Sequence, residues 1–275
     1  MTQVTGVGTD VRAATDEEVA HYHENGWVHM KGLIPADLAE EMRQRGEQEL
    51  LDRGPEDDPR IRDLSAWRDL YFLGRDEGVE PFHTLTRSKT TGRNAQRFMR
   101  RDVAVGFHVD MFAVKMPTGH KASSETGFHQ DFPNFPLDRV GLLTFWVALD
   151  HLTPDQGTMR FLSGSHREGP LGRRDLTTES RALLDHYPYL EDVYELSPPL
   201  EMEPGDCTVH SSLVIHSAPA NTTDRPRWTY LMCYYPCDAR FTGAPHHMFN
   251  EEAGLELGKP VISPKFPIIY GEPEQ

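Results

Sequence analysis

From Val103 to Tyr235 the chain is a succession of short apolar runs, each cut off by turn residues, and this punctuation points to a mainly β architecture. Val103–Phe107 and Met111–Met116 are β-like. Gly141–Leu149 (GLLTFWVAL) is a nearly continuous apolar run, as in a strand buried on both faces. Thr158–Leu162, a run from Cys207 through Ile215 to Ala218, and Trp228–Tyr235 follow. Pro154-Asp155-Gln156-Gly157, Ser163-Gly164-Ser165 and Pro204-Gly205-Asp206 separate them. Six or more such strands predict a sandwich or barrel.

Helices are expected mostly upstream. Thr15 precedes Glu18 by three residues, a capping-box pattern that predicts a helix from Asp16 to the stop at Asn25-Gly26. Trp27–Met30 reads as a short strand. Pro35 opens a second helix with Leu38 and Met42 on one face and Gly54-Pro55 closing it. Residues 55–100 are charged and weakly periodic, with isolated aromatics (Trp67, Tyr71, Phe72, Phe82), and are expected as short helices and loops forming a lid over the core. We expect one domain over residues 1–275: a flexible tail at 1–14, a helical region at 15–101, the strand core at 102–240 with an irregular excursion at 166–200, and a C-terminal extension at 241–275.

Composition narrows the function. A formal net charge of −15 excludes a sequence-independent nucleic-acid binder, which needs a basic patch, and favours a small-molecule substrate. No apolar run approaches the roughly 18 residues a membrane helix requires. The polar stretch Met1–Ala14 has no apolar signal core. Cys207, Cys233 and Cys237 are an odd, sparse set, expected as reduced structural thiols. A cytoplasmic location follows as the expectation; oligomeric state is not legible.

The chemistry concentrates in Gly127-Phe128-His129-Gln130-Asp131. On a strand, residues i and i+2 face one side, so His129 and Asp131 point together into the interior. Adding a histidine from a distant strand makes a two-histidine, one-carboxylate facial set that leaves three adjacent positions open on iron(II), for a bidentate co-substrate and O₂. His216 is the candidate third ligand, with His210 its local rival. Arg227, eleven residues further on and across a turn at Asn221–Pro226, suits a bidentate fork to the distal carboxylate of 2-oxoglutarate, with Arg225 as its rival. The spacing alone does not discriminate: His108-Val109-Asp110 has it too, and a surface His–Asp pair, a satisfied core histidine or a salt-bridging arginine are the plainer readings.

The combination is more specific than its parts. His129-Gln130-Asp131, Trp146-Val147-Ala148-Leu149, Gly164-Ser165-His166, Gly205-Asp206, His216 and Arg227 stand in the order and at the spacing of the phytanoyl-CoA dioxygenase family, and Asn25-Gly26-Trp27-Val28 with Gly32-Leu33-Ile34 resembles that family's opening. The resemblance spans roughly residues 16–236. It implies a double-stranded β-helix, a cupin-like jelly roll with buttressing helices. It also implies iron(II) on His129, Asp131 and His216, and 2-oxoglutarate and O₂ as co-substrates with Arg227 as carboxylate anchor. Thr126 resembles a co-substrate contact, and Lys115 and Trp146 resemble pocket-lining residues, although each also reads as an ordinary barrel or core residue. Where the family often has a hydroxyl two positions after the distal histidine, this chain has Ala218. The carboxylate Asp131 is present, which favours hydroxylation or desaturation over halogenation. The implied role is oxidation of an unactivated C–H bond of a small molecule, in secondary-metabolite tailoring. The competing readings are a metal-dependent cupin-type hydrolase or isomerase that does not use 2-oxoglutarate, and a non-catalytic ligand-binding jelly roll.

Overall fold

The structure is a computed structural model, and it describes residues 10–52, 61–63, 67–75, 78–117, 125–172, 181–244 and 254–272. Helix α1 (Asp16–Asn25) begins on the expected capping box: the Glu18 N–H donates to Thr15 Oγ1 and the Thr15 N–H donates to the Glu18 carboxylate. It ends on Gly26 at φ 78°, where an added Cβ would lie 2.5 Å from His166 Nδ1, so the position excludes a side chain on both counts. Strand β1 (Trp27–Met30) follows, then helix α2 (Ala36–Asp52), which buries Leu38, Ala39 and Met42. The Gly54-Pro55 stop lies outside the described residues. So do residues 1–9 of the expected tail, whereas Val11 and Ala14 are buried and the Arg12 N–H donates to the Leu33 carbonyl.

Two antiparallel sheets form the core. The major sheet has the order β1–β8–β6–β10–β4–β3–β2, with β11 (Ile268–Tyr270) also paired to β4. Its members are β2 (Ile61–Asp63), β3 (Trp67–Tyr71), β4 (Val105–Lys115), β6 (Leu143–Ala148), β8 (Cys207–Ser211) and β10 (Arg227–Pro236). The minor sheet has the order β5 (Thr126–His129), β9 (His216–Ala218), β7 (Arg160–Phe161). Helices α3 (Phe82–Thr86) and α4 (Lys89–Met99), with α1 and α2, buttress the major sheet, and α5 (Ala182–His186) and α6 (Tyr189–Val193) occupy the 166–200 excursion. This is the jelly roll.

Several expectations change. Residues 61–63 and 67–71 form strands on the major sheet's edge, with Asp69 opposite Ala113, where helices and loops were expected. The two runs around residues 103–116 are one strand, whose register against β10 shifts at a bulge between Cys233 and Tyr234. The run from Cys207 to Ala218 is broken: β8 ends at Ser211 in the major sheet and β9 starts at His216 in the minor one. Accordingly β9 and β10 are not a hairpin, and Arg227 reaches its position by a crossing between sheets. The C-terminal extension contributes β11 to the sheet.

The decoy His108-Val109-Asp110 lies in β4. Asp110 is paired with Met232 on the helix-covered face, where its carboxylate accepts from the Gly74 N–H (2.8 Å) and the Tyr230 O–H (2.9 Å). Burial raises the Asp110 pKa to about 6, against the lowering effect of these bonds. The folded state therefore holds a proton that the unfolded chain, near pH 3.9, has released. This contribution is present below about pH 4 and is lost as pH rises through 6. Urea unfolding at pH 4 and pH 7 is expected to find Asp110→Asn gaining on wild type by about 2–3 kcal/mol between the two; a pH-independent difference contradicts the assignment.

Candidate metal centre

His129 closes β5 and pairs across it with His216, the first residue of β9. Asp131 does not lie on the strand as expected: β5 ends at His129, and Asp131 is a helical residue (φ −71°, ψ −42°) heading a 3-10 turn at Phe132–Asn134. That turn is tied to the end of β8 by the Phe132 N–H donating to the Ser212 carbonyl (2.9 Å). The carboxylate still meets the imidazoles: Asp131 Oδ1 lies 3.5 Å from His129 Nε2 and 3.6 Å from His216 Nε2. The three donor atoms fall within 4.8 Å of one another. Donors on one ion at bond lengths of about 2.1 Å stand roughly 3–3.5 Å apart, so the set fits a single cation with slight closure.

Each imidazole is oriented by its own strand. His129 Nδ1 bonds to the Gly127 carbonyl at 2.7 Å and His216 Nδ1 to the Val214 carbonyl at 3.0 Å. A carbonyl only accepts, so both Nδ1 atoms carry the hydrogen and both Nε2 lone pairs face Asp131. Burial, and then the neighbouring His129, push the His216 pKa well down, with Asp131 opposing. Burial alone would raise Asp131, but the imidazoles of His216, His129 and His210 hold it well below the usual carboxylate range. Nδ1 hydrogens committed to backbone carbonyls leave the Nε2 atoms of His129 and His216 as donors beside an ionised Asp131, the set a divalent metal requires.

The motif residues around the centre have structural work. Gln130 points out of the site: its amide nitrogen donates to the Gly169 and Leu213 carbonyls (2.8 and 2.7 Å), and its oxygen accepts from the Leu171 N–H (2.8 Å). Only an amide side chain donates and accepts in this way, which explains Gln between the two ligand candidates. The Ser165 hydroxyl accepts from the Ile215 N–H, and the Gly164 N–H donates to the Asn25 carbonyl, so the Gly-Ser-His turn clamps the end of α1 to the entry of β9. Asp206 accepts from the Gly32 N–H (2.7 Å) and bonds His29 Nε2 (3.2 Å), joining the N-terminal segment to β8. Trp27 stacks on Phe161 (4.7 Å, 8°), which in turn backs His210 and His216.

The other candidate residues gather at the Ala218 end of β9. Thr126 lies opposite Ala218. Lys115 is fully buried and donates to the Ala218 and Pro219 carbonyls (2.9 and 2.6 Å); burial and then the adjacent Arg227 lower its pKa strongly. Arg227 pairs with Lys115 across β10 and β4, donates to the Gly157 carbonyl (2.6 Å), and stands 5.1 Å from the Trp146 ring. Burial lowers the Arg227 pKa to about 10, with Asp69 opposing, so the guanidinium stays cationic at neutral pH. Its Nε has no hydrogen-bond partner among the described residues. His151 faces Glu201 and Glu203 on the surface, and His166 packs on Gly26, both away from the centre. The His246-His247 pair lies outside the described residues.

The sequence matches the family described as phytanoyl-CoA dioxygenase (PhyH) over residues 22–229. The chain belongs to this family. It is thus an iron- and 2-oxoglutarate-dependent oxygenase. Among curated relatives, the 2-aminoethylphosphonate dioxygenase of the uncultured bacterium HF130_AEPn_1 is 24% identical over 80% of this chain and 81% of that protein. Among solved structures, the non-heme α-ketoglutarate-dependent carbocyclase SnoK from nogalamycin biosynthesis has TM-score 0.75 and 23% identity, covering 96% of this chain and 100% of that one. The epimerase SnoN, in complex with Fe³⁺, α-ketoglutarate and nogalamycin RO, has TM-score 0.73 and 23% identity, covering 92% and 98%. These structural likenesses bear on the fold; the family match carries the chemistry.

The Gln130 network yields a test. Gln130→Ala removes three part-buried hydrogen bonds and is expected to cost about 2–4 kcal/mol in chemical unfolding; a loss under about 0.5 kcal/mol contradicts a stapling role.

Proposed function

We propose that His129, Asp131 and His216 are the iron ligands, that Arg227 anchors the distal carboxylate of 2-oxoglutarate, and that the enzyme hydroxylates or desaturates a partly apolar small molecule in natural-product biosynthesis. The observation that carries the reading is the convergence of two imidazole lone pairs on one oxygen of a half-buried, ionised carboxylate. When bound, the iron and 2-oxoglutarate supply the O₂-dependent oxidising power, which no side chain here has.

The chain's own residues supply position and shielding. A buried guanidinium with an uncommitted Nε, beside the indole of Trp146, suits a carboxylate. Lys115 and Thr126 flank the same end of β9; Lys115 supports it by bracing the backbone at Ala218 and Pro219, where the missing hydroxyl would stand. On the substrate side, Thr144 and Trp146 share a face of β6, and the sheet register aligns Trp146, Leu231, Met111 and Tyr71 across that face. Trp146 is buried, whereas Leu231, Met111 and Tyr71 are half-buried, so the row runs from the interior to an apolar, aromatic mouth. Such a mouth suits a partly apolar ligand better than a small phosphonate. The tailoring role is in keeping with the nogalamycin context printed for the two structural neighbours. Among the described residues no helix is long and apolar enough to cross a membrane, and the three cysteines are free and buried, in keeping with a reducing cytoplasm.

The decisive experiment is a screen for substrate-triggered succinate release with iron(II), ascorbate and O₂, spanning apolar natural-product scaffolds, amino acids and phosphonates, with the oxidised product identified by mass. His216→Ala and Asp131→Ala are expected to abolish release; retained turnover in both refutes the ligand assignment. Arg227→Lys exchanges a fork for a point charge and is expected to raise KM for 2-oxoglutarate roughly ten-fold or more while leaving iron binding intact. An unchanged KM removes Arg227 from the co-substrate site.

A further inference from the structure

The oxygen of Asp131 that turns away from His129 and His216 is not idle. His210, on β8, brings Nε2 to 3.3 Å from Asp131 Oδ2, and Thr144, on β6, brings its hydroxyl to 3.2 Å from the same atom. Both partners are essentially buried, at 1% and 2% exposure, so neither bond competes with bulk water. An ionised carboxylate only accepts, hence His210 carries its hydrogen on Nε2 and that atom has no lone pair for a metal. The two oxygens are thereby divided: Oδ1 faces the two open imidazole lone pairs and Oδ2 faces two donors from the major sheet.

We propose that His210 and Thr144 are positioning residues that hold Asp131 as a one-oxygen ligand, with His210 outside the coordination sphere although its ring lies 4.6 Å from that of His216. The proposal rests on the ligand assignment above. The reason lies in the backbone. Asp131 is not on a strand, so no ladder fixes its side chain, and a free carboxylate rotates about its terminal torsion with little restraint. A second oxygen swinging onto the cation would fill a position that the co-substrate and O₂ need. Donors on two adjacent strands, with Thr144 and His210 directly paired in the β6–β8 register, fix that torsion from a rigid surface. The Thr144 hydroxyl is itself 3.5 Å from Cys233 Sγ, so its rotamer is constrained from the far side. Phe161, ring centroid 5.6 Å from that of His210, packs against the imidazole at a tilt of 47°.

The test uses Co(II) as a redox-silent probe of the full chain, with affinity read by calorimetry and coordination by the visible ligand-field spectrum. His210→Phe is expected to weaken Co(II) binding roughly 10–100-fold and to change the spectrum, because Oδ2 is released. His210→Gln, whose amide can donate to the same oxygen, is expected to recover most of the affinity and the wild-type spectrum. Thr144→Val, which removes one hydroxyl at constant shape, is expected to give a smaller loss with the same spectral change, and it decides the matter should the Phe variant fail to fold. Wild-type affinity and spectrum in His210→Phe, or in Thr144→Val, overturn the proposal. So does a Gln variant that loses as much as the Phe variant, since the ring itself would then be the ligand or a packing element. A wild-type chain that binds no Co(II) removes the ligand assignment and this inference together, whereas binding in wild type with no effect of the variants removes this inference alone.

Discussion

Asp131 is a half-buried carboxylate between two sheets, where an unpaired charge is costly, and its environment is arranged around that cost. Three imidazoles and a hydroxyl surround it, from β5, β6, β8 and β9. No strand provides two of these four partners. The charge is therefore tolerable only when both sheets are formed and in register, and the centre is a product of the whole core. Oδ2 is engaged by His210 and Thr144, while the Nε2 lone pairs of His129 and His216 converge with Oδ1 where a metal would bind.

That requirement explains why so much of the structure is devoted to joining the sheets. Gln130 ties the turn that carries Asp131 to the 166–200 excursion and to the loop entering β9. Ser165 holds Ile215, one residue before His216. Asp206 fastens the N-terminal segment to β8, four residues before His210. Gly205, at φ 92°, permits this turn, since a Cβ there would stand 2.2 Å from the Ile34 carbonyl oxygen. Each motif of the family thus fixes the backbone within a few residues of a group that faces Asp131.

The centre is also polarised along the barrel. The Ala218 end of β9 carries the buried basic side chains Lys115 and Arg227, and the Tyr71–Met111–Leu231 row is apolar and half-buried. An anionic co-substrate and a partly apolar substrate would approach one metal from chemically distinct sides, which helps to keep them from exchanging places. The buried Arg227 guanidinium is costly unless an anion joins it, a cost that favours co-substrate binding at that end.

How much was legible beforehand follows from the range of the interactions concerned. Thr15 with Glu18, Gly26, and the apolar run Gly141–Leu149 act through neighbours a few residues away or through one strand's burial, and sequence determined them: a capped helix, its stop, and a central strand. Order and spacing also determined the family and the identity of the residues that meet. Tertiary structure alone decided how they meet. His129 and Asp131 share a side because a 3-10 turn is tied to Ser212, not because of strand alternation. The break between Ser211 and His216 carries the chain from one sheet to the other, which turns a rival histidine, His210, into a partner of the same carboxylate. Strands β2, β3 and β11 carry weak local patterns; β3 and β11 exist because β4 offers them an open edge, and β2 because β3 extends it. These outcomes depend on hydrogen bonds between residues tens to more than a hundred positions apart, which local periodicity does not encode.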